Sequence, residues 1–248
     1  MKKILLIILI TLFYSTTSFS ISLPKDVVSG SKFKKSLTGN YYKKYGMEVV
    51  SKADGYPVRA GEKSIRFEVR AGDCGKDKDG GWNDCKKDRE RHELSGKYRV
   101  SKGDRWYAWS IYLPEDFINV YPVSTMLGQF HQEKKHVIWM FKNGRGGYWI
   151  ENYVKGFTSE KRNLLSKQEM LGKWNDVLVN VKWTHKEDGF FKVWVNDKLA
   201  YDYKGQTKSK GVKTYYKFGI YRSWISKYKS YHKGKEVPTQ VVYFDEVR

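Results

Sequence analysis

The segment GQFHQ, residues 128–132, places an amide and an imidazole two positions apart. In a β-strand successive side chains point to opposite faces, so Gln129 and His131 are expected side by side on one surface. By the same alternation, Leu127 lies on their face, and the opposite, buried row consists of Met126, Gly128 and Phe130. Taken alone, the pair fits either a polar outer face or a catalytic site.

Two other segments offer polar rows of the same kind. In TYYKFGIYRS, residues 214–223, the apolar row is Tyr216, Phe218 and Ile220, and the opposite row is Tyr215, Lys217, Gly219 and Tyr221. A glycine on that face is expected to let a substrate approach the backbone closely. In RERHELSG, residues 89–96, Arg89, Arg91 and Glu93 share a row. Arg91 and Glu93 form either an ion pair or part of a binding site.

An amide, an imidazole, a phenol and cations together suit β-elimination at a uronic acid. The C5 proton beside the carboxylate is weakly acidic, and neutralising that carboxylate stabilises the charge that develops as the proton leaves. A base removes the proton and an acid protonates the departing O4 oxygen. A tyrosine can serve as the acid, or as both groups when nearby cations lower its pKa. Hydrolysis would instead require two carboxylates flanking the bond, and no strand shows such a cluster.

The elements that must position these residues are β-strands. From Ser64 onward, segments such as SIRFEVR and DVLVNVKW alternate with period two and are separated by Gly, Asn, Asp and Lys clusters. Asn196-Asp197 predicts a hairpin turn, and the best helical candidate, residues 159–170, is short. We predict a single all-β domain, a jelly-roll sandwich of two antiparallel sheets. Residues 21–50 are expected to form a wrapping leader or an edge strand.

The first residues predict export. Two lysines precede an apolar stretch at residues 4–14, and Ser18 and Ser20 are small residues before a cut. The stretch is short for a membrane span and typical of a secretory signal peptide, residues 1–20, which leaves a domain at 21–248. An uncleaved anchor is the alternative. We therefore expect a secreted or periplasmic monomer without stable membrane insertion.

The chain is strongly basic. It carries 47 Lys and Arg against 27 Asp and Glu, a formal net charge of +20. Such a field attracts polyanions and speeds their encounter. For an exported protein we expect an acidic polysaccharide, rather than a nucleic acid, as the partner. A generally lysine-rich composition is the alternative explanation of the charge.

The two cysteines, Cys74 and Cys85, lie close together in DCGKDKDGGWNDC. In an oxidising compartment such a pair is expected to form a disulfide. Four residues of the loop are spaced somewhat like calcium ligands without matching the full pattern: Asp77, Asp79, Asn83 and Asp84. A solvated turn held by the disulfide is the preferred interpretation.

Eight segments in this order resemble one family, the heparin lyase I-like polysaccharide lyases, which include glucuronan lyases. The segments are RFEVRAGD, RERHELSG, WYAWSIYLPEDF, GQFHQ, GKWNDVLVNVKW, FKVWVNDKLAYDYKG, YYKFGIYRS and VVYFDEVR. More distant alginate lyases of the same concanavalin A-like jelly roll show a similar triple of RxEL, Q-x-H and YxKxGxY strands. The resemblance runs from Ser64 to the C-terminus and implies the jelly-roll fold and a lyase activity.

The resemblance implies roles for six residues. His131 is implied as the C5 base and Tyr221 as the acid. The other four are implied to bind substrate: Gln129 and Arg91 at its carboxylate, and Lys217 and Arg222 as further contacts. The implied chemistry requires no cofactor. By analogy with similar sandwiches, Asp245 is a candidate ligand for a structural calcium ion.

The function we expect is therefore cleavage of a uronic-acid polymer that leaves an unsaturated uronate at the new end. A non-catalytic, lectin-like carbohydrate-binding module on the same fold is the main alternative, and a glycoside hydrolase is the second. The polymer stays open among glucuronan, glycosaminoglycans, alginate and capsule. The four other histidines lack comparable partners and are interpreted as surface or structural residues.

Overall fold

A computed structural model of the chain describes residues 23–29, 32–37 and 43–248, so the predicted signal peptide lies outside the described residues. The strands are β1 Phe33–Lys35, β2 Met47–Ser51, β3 Lys63–Val69, β4 Arg89–Gly96, β5 Gly103–Tyr112, β6 Thr125–Gln132, β7 Val137–Gly144, β8 Gly147–Asn152, β9 Glu160–Leu165, β10 Trp174–Trp183, β11 Phe190–Val195, β12 Lys198–Lys204, β13 Thr214–Ser223 and β14 Gln240–Asp245. The helices are α1 Lys167–Met170 and α2 Ile225–Tyr231. Within these residues no helix combines the length and apolar character needed to span a bilayer.

The strands form two seven-stranded sheets. One, the groove sheet, has the order β1-β4-β13-β6-β7-β8-β9, and the other, the outer sheet, has the order β12-β11-β10-β5-β14-β3-β2. Neighbouring strands pair antiparallel throughout both sheets. The predicted all-β jelly-roll sandwich of two antiparallel sheets is confirmed.

The core lies between the two sheets and follows from strand alternation. On β10, Val177, Val179 and Val181 are buried, whereas Leu178 between them is exposed on the outer face. On β13 the predicted apolar row, Tyr216, Phe218 and Ile220, belongs to the same core. Each side chain of this size contributes about 1.5–3 kcal/mol when fully buried. One face of the groove sheet therefore packs against the core, and the polar rows lie on its other face.

Local features follow the sequence with one exception. Asn196 and Asp197 adopt φ values of 49° and 63° between β11 and β12, as a tight hairpin turn requires. Strands β1 and β2 add to the edges of the two sheets, which confirms the edge-strand interpretation for the described part of residues 21–50. The helix candidate at residues 159–170 is wrong for its first half, because β9 occupies that half and only α1 is helical.

Candidate active site

A long groove crosses the solvent face of the groove sheet and encloses about 1480 Å³. This exceeds the roughly 300–1,000 Å³ of ordinary small-molecule pockets and is a size suited to several units of a polymer. Strands β4, β13, β6, β7 and β8 contribute the floor. Five of the six predicted site residues line it: Arg91, Gln129, His131, Lys217 and Tyr221.

The groove is basic. Its described lining contains nine Lys or Arg residues, namely Arg89, Arg91, Lys134, Lys135, Lys142, Arg145, Lys161, Lys217 and Lys227. It contains two acidic residues, Asp77 and Glu151. The groove therefore shares the positive charge of the whole chain, and this charge favours an anionic ligand there.

His131 is held as a neutral imidazole. Its Nδ1 lies 2.8 Å from the backbone carbonyl oxygen of Gln132. Because a carbonyl only accepts hydrogen bonds, Nδ1 carries the proton and Nε2 carries the lone pair. The pKa of His131 is lowered to about 4, first by burial and then by the nearby Lys217 ammonium. The Nε2 atom is thus available as a base at neutral pH.

Gln129 is oriented by a carboxylate that the sequence analysis did not select. Its amide nitrogen donates to Glu93 Oε1 at 2.5 Å, and both residues are buried. A carboxylate accepts only, so the amide group must point its NH2 at Glu93. One N–H and the amide oxygen of Gln129 remain for other partners. The clue in the sequence was the shared row of Arg91 and Glu93 on β4.

The predicted cations are already paired. Arg91 contacts Asp84 Oδ2 at 2.6 Å and Glu93 Oε2 at 3.1 Å, and Lys217 Nζ lies 2.8 Å from Glu93 Oε2. We call Asp84, Arg91, Glu93 and Lys217 the charge network. Its formal charges sum to zero, and all four members are buried. The ion-pair interpretation of Arg91 and Glu93 is confirmed, within a site that also lines the groove.

Burial and pairing act in opposite directions on the network. Burial would raise the pKa of Glu93, but Lys217 and Arg91 lower it on balance. Burial would lower the pKa of Arg91, but Glu93 and Asp84 raise it on balance. Burial lowers the pKa of Lys217 despite the opposing effect of Glu93. Removing one member would leave its partner charged and buried, so the four side chains hold one another in place.

Two tyrosines of β13 lie in the groove. Tyr221 packs beneath Arg91, whose guanidinium carbon lies 4.3 Å from the ring centroid. Burial raises the pKa of Tyr221, although Arg91 opposes the rise. Tyr215 lies directly across from His131 in the β13–β6 register, whereas Tyr221 lies across from Met126. The Gln129–Lys217 pair therefore lies between His131 and Tyr221 along the sheet, and a sugar contacted by both side chains lies above this pair.

Arg89 is a groove cation that the sequence analysis placed on the right row but did not select. Its guanidinium carbon lies 5.1 Å from the Trp82 ring and 5.9 Å from the Tyr221 ring. Its Nε atom is buried without a hydrogen-bond partner. Among the residues that the structure describes, no carboxylate pairs with it. A guanidinium in this state is suited to an anionic group of a ligand.

Strand alternation fails at one end of β6. Leu127 is fully buried in the core, and Met126 lines the groove, the reverse of the prediction. The pairing with β7 shifts between Met126 and Gly128, which marks a β-bulge. One extra residue reverses the facing of side chains before it and leaves Gln129 and His131 as predicted.

Gly219 serves strand packing rather than substrate approach. A Cβ atom there would lie 2.4 Å from the His92 carbonyl oxygen and 2.8 Å from Glu93 Cα. Its φ of 134° is also a conformation that other residues rarely adopt. The glycine therefore allows β13 to pack closely on β4, and the expected role in ligand approach is wrong.

Arg222 does not line the groove. It is fully buried on the opposite side of β13, where Nε lies 2.6 Å from Glu90 Oε2 and a terminal nitrogen donates to the Pro238 carbonyl. The prediction that Arg222 contacts substrate is wrong, because alternation turns it away from Tyr221. Its role is that of a buried ion pair.

Asp245 is committed to the backbone. Its carboxylate accepts from the N–H groups of Arg59 at 2.9 Å, Ala60 at 3.1 Å and Glu246 at 2.8 Å. Within the described ranges, no group of three or more His, Cys, Asp or Glu residues is arranged to hold a metal ion. In the structure the Asp245 carboxylate anchors the loop before β3, and its role as a calcium ligand stays a prediction.

The expected disulfide between Cys74 and Cys85 is present, with Cα atoms 5.0 Å apart. Its loop is more than a solvated turn, because Asp84 is fully buried in the charge network. His92 is structural, as interpreted: it is buried, and its Nδ1 contacts the Glu68 carbonyl oxygen at 2.6 Å.

The two carboxylates of the described lining are poorly placed for hydrolysis. Asp77 lies on the disulfide loop beside β4, and Glu151 lies on β8. Four strand spacings separate β4 from β8, roughly 19 Å, whereas glycosidase pairs lie about 5–9.5 Å apart. Glu151 also contacts Lys142 at 2.6 Å and Lys161 at 3.0 Å, and both lysines lower its pKa against the effect of burial.

Comparison with known proteins gives a family and a set of similar folds. Residues 38–248 match the family model described as polysaccharide lyase. No curated protein matches the chain in sequence. The solved structures with similar folds include an endo-β-1,4-glucuronan lyase from the fungus Trichoderma reesei, with a TM-score of 0.62 and 15% identity over 88% of this chain and 93% of that chain.

Two further structures show the range of activities on this fold. An alginate lyase of polysaccharide lyase family 7 has a TM-score of 0.57 and 17% identity, covering 92% of this chain and 98% of that chain. The catalytic domain of a β-glucanase of glycoside hydrolase family 131 from Podospora anserina has a TM-score of 0.54 and 15% identity, covering 88% and 84%. At these identities the likeness concerns the fold alone.

Proposed function

Because the chain belongs to the polysaccharide lyase family, we propose that it cleaves a uronic-acid-containing polysaccharide by β-elimination. One observation carries the proposal: Gln129, His131 and Tyr221 share one basic groove with room for several sugar units. A base, an acid and hydrogen-bond donors for a carboxylate are the groups that this reaction needs.

His131 is the proposed base. With Nδ1 donating to the Gln132 carbonyl, Nε2 is the atom that takes the C5 proton. Its low pKa keeps the imidazole neutral above about pH 5. The Lys217 ammonium that lowers this pKa also lies beside the negative charge that develops on the sugar.

The carboxylate of the reacting uronate is proposed to bind between Gln129 and Arg91, which both contact Glu93, and Arg89 is proposed to bind the carboxylate of a neighbouring sugar. Gln129 keeps one amide N–H that Glu93 does not use. Arg89 supplies a cation without a carboxylate partner among the described residues and a buried Nε–H that lacks an acceptor. The charge network is neutral as a whole. It orients Gln129 through Glu93, and Arg91 contributes hydrogen-bond donors without adding net charge.

Tyr221 is the proposed acid that protonates O4 of the leaving sugar. Burial raises its pKa, which keeps the phenol protonated at neutral pH. A raised pKa also disfavours the use of Tyr221 as the base. The two proton-transfer roles are therefore divided between His131 and Tyr221.

Arg89→Gln is expected to lower kcat/KM about 10–100-fold, because a charge-assisted hydrogen bond contributes about 1.5–3 kcal/mol. Most of the loss is expected in KM, since the carboxylate of the neighbouring sugar is bound before and during reaction. Arg145→Gln is the matched control: it removes an equal charge from an exposed turn of the groove, where solvent screens it, and is expected to change kcat/KM less than about threefold. Equal effects of the two substitutions would contradict the assignment of Arg89.

The activity is tested by incubating residues 21–248 with glucuronan, alginate, heparin-type and other uronate polymers. Ultraviolet absorbance of the C4–C5 double bond is followed over time. We expect a rise on at least one polymer and none on neutral glucans. Binding without any rise would favour the lectin-like alternative. New reducing ends without the double bond would favour hydrolysis.

We also propose that the protein works outside the cytoplasm. The Cys74–Cys85 disulfide supports an oxidising compartment, as does the signal-like sequence at residues 1–20. The natural polymer is proposed to be an acidic exopolysaccharide, glycosaminoglycan or capsule-like chain, and the proposed steps use side chains of this protein alone.

A further inference from the structure

The disulfide loop contributes one residue, Asp84, to the charge network. Asp84 directly precedes Cys85 and is fully buried. Its Oδ2 accepts from Arg91 Nε at 2.6 Å, and its Oδ1 accepts from Arg91 Nη2 at 2.7 Å. This two-point contact fixes both the position and the plane of the guanidinium. Glu93 alone would hold Arg91 through a single nitrogen.

The same carboxylate orients an aromatic side chain of the groove wall. The indole N–H of Trp82 donates to Asp84 Oδ1 at 2.8 Å. Trp82 lines the groove, and Arg89 lies over its ring at 5.1 Å. One buried carboxylate therefore sets the positions of Arg91 and of the indole that packs against Arg89.

The loop is closed by the disulfide, by a β-bridge between Lys76 and Asn83 and by backbone hydrogen bonds. The Asp84 N–H donates to the Gly75 carbonyl at 2.7 Å, and the Asp77 N–H donates to the Trp82 carbonyl at 2.8 Å. The tip of the loop, at Asp79 to Gly81, is exposed. Opening the disulfide would allow this segment more conformations and loosen Asp84 from Arg91.

We propose that Asp84 is a positioning residue for the elimination and that the Cys74–Cys85 disulfide maintains the active site by holding Asp84 against Arg91. The proposal rests on the proposed function for its effect on activity. Asp84 acts through Arg91 and Trp82 and does not itself line the groove. Reduction of the disulfide is therefore expected to lower activity without unfolding the sandwich, whose core lies elsewhere.

The role of Asp84 has an electrostatic signature. The charged groups that act on Tyr221 are Arg89, Arg91 and Glu93 from β4 and Asp84 from the loop. Asp84 raises the pKa of Tyr221. Asp84→Asn changes the sum of the network from zero to +1 and removes this effect. Asp84 also holds in place Arg91, which lowers the pKa of Tyr221, so Asp84→Asn is expected to move the alkaline limb of the kcat/KM profile away from its wild-type position.

The test compares Asp84→Asn with Asp79→Asn, a matched control on the exposed tip of the same loop. Asp84→Asn is expected to lower kcat/KM about 10–100-fold, the effect of one charge-assisted hydrogen bond, and to shift the alkaline limb. Asp79→Asn is expected to leave both unchanged. Full activity with an unshifted profile in Asp84→Asn overturns the proposal.

Two further measurements keep the test decisive if Asp84→Asn folds poorly or the wild-type protein cleaves no polymer. Folded wild-type protein is treated with a thiol reductant, and Arg91 is then modified with phenylglyoxal and mapped by mass spectrometry, with Arg145 in the exposed turn between β7 and β8 as reference. Reduction is expected to raise the rate of Arg91 modification about tenfold, because it releases one charge-assisted contact. Unchanged protection of Arg91 overturns the proposal, whether or not the proposed function holds. Activity on a polymer with no loss on reduction overturns it as well.

Discussion

His131→Ala is expected to lower kcat of polymer cleavage by roughly two to four orders of magnitude, the usual contribution of a positioned general base. The imidazole is neutral, and its Nε2 carries the lone pair. His131 is the one histidine of β6, the strand that also carries Gln129. The side chain is only partly buried, so its removal leaves the core intact. The measurement is the initial rate of double-bond formation, with melting temperature and circular dichroism as checks of folding.

His136→Ala is the comparison for this variant. His136 lines the same groove but is exposed in the turn after β6. Its loss is expected to change KM at most, and kcat is expected to stay within about threefold, as for an exposed side chain away from the reacting atoms. A kcat for His131→Ala within tenfold of the wild-type value would rule out His131 as the base.

The pH dependence of kcat/KM provides a second test of His131 as the base. The base must be deprotonated, so activity is lost as the pH falls through its pKa of about 4. The acid limb of kcat/KM is therefore expected near pH 4, with no contribution from this group between about pH 5 and 8. An acid limb near 6.5, the value of an unperturbed histidine, would mean that the burial and the Lys217 contact are not maintained in solution.

Local sequence pattern predicted the parts of the site that depend on one regular strand. The rows of β13 were predicted correctly because alternation is unbroken there, so Tyr215, Lys217 and Tyr221 face the groove and Phe218 faces the core. The same argument failed at Met126, because a bulge inserts one residue and no turn residue announces it.

The electrostatics of the site could not be predicted from local pattern. Asp84 and Arg91 are seven positions apart, but the intervening turn and the disulfide decide that they meet. Glu93 on β4 contacts Lys217 on the neighbouring strand β13 and Gln129 one strand further, on β6, and these contacts are set by sheet order rather than by spacing along the chain. Arg91 was therefore expected either in an ion pair or in a binding site and Lys217 as a substrate contact, whereas in the structure both are paired and Arg89 is a groove cation without a carboxylate partner among the described residues.

The similarity to a β-glucanase shows that this fold alone does not decide between elimination and hydrolysis. The site makes the distinction. Both carboxylates of the described lining, Asp77 and Glu151, lie on opposite walls, and Glu151 is held by two lysines. The centre of the groove instead offers an imidazole, an amide and phenols, which favours proton abstraction beside a carboxylate.

Tyr221→Phe is expected to lower kcat by roughly two to four orders of magnitude, as the loss of a general acid would. The substitution removes one oxygen and keeps the ring under Arg91, so the packing at 4.3 Å is retained. Tyr215→Phe is the decisive comparison, because Tyr215 lies directly across from His131 in the sheet. The rates of both variants are measured on the same polymer as His131→Ala.

The choice between the two tyrosines depends on where O4 lies relative to C5. If the carboxylate binds between Gln129 and Arg91, the sugar extends from His131 toward the end of the groove that holds Arg91 and Tyr221, and the leaving oxygen meets Tyr221. Tyr215 is instead covered by Arg99, whose guanidinium carbon lies 3.8 Å from its ring centroid. We therefore expect Tyr215→Phe to retain kcat within about tenfold, the effect of a contact rather than of an acid. The reverse order of the two variants would transfer the acid role to Tyr215 and place the leaving sugar at the opposite end of the groove.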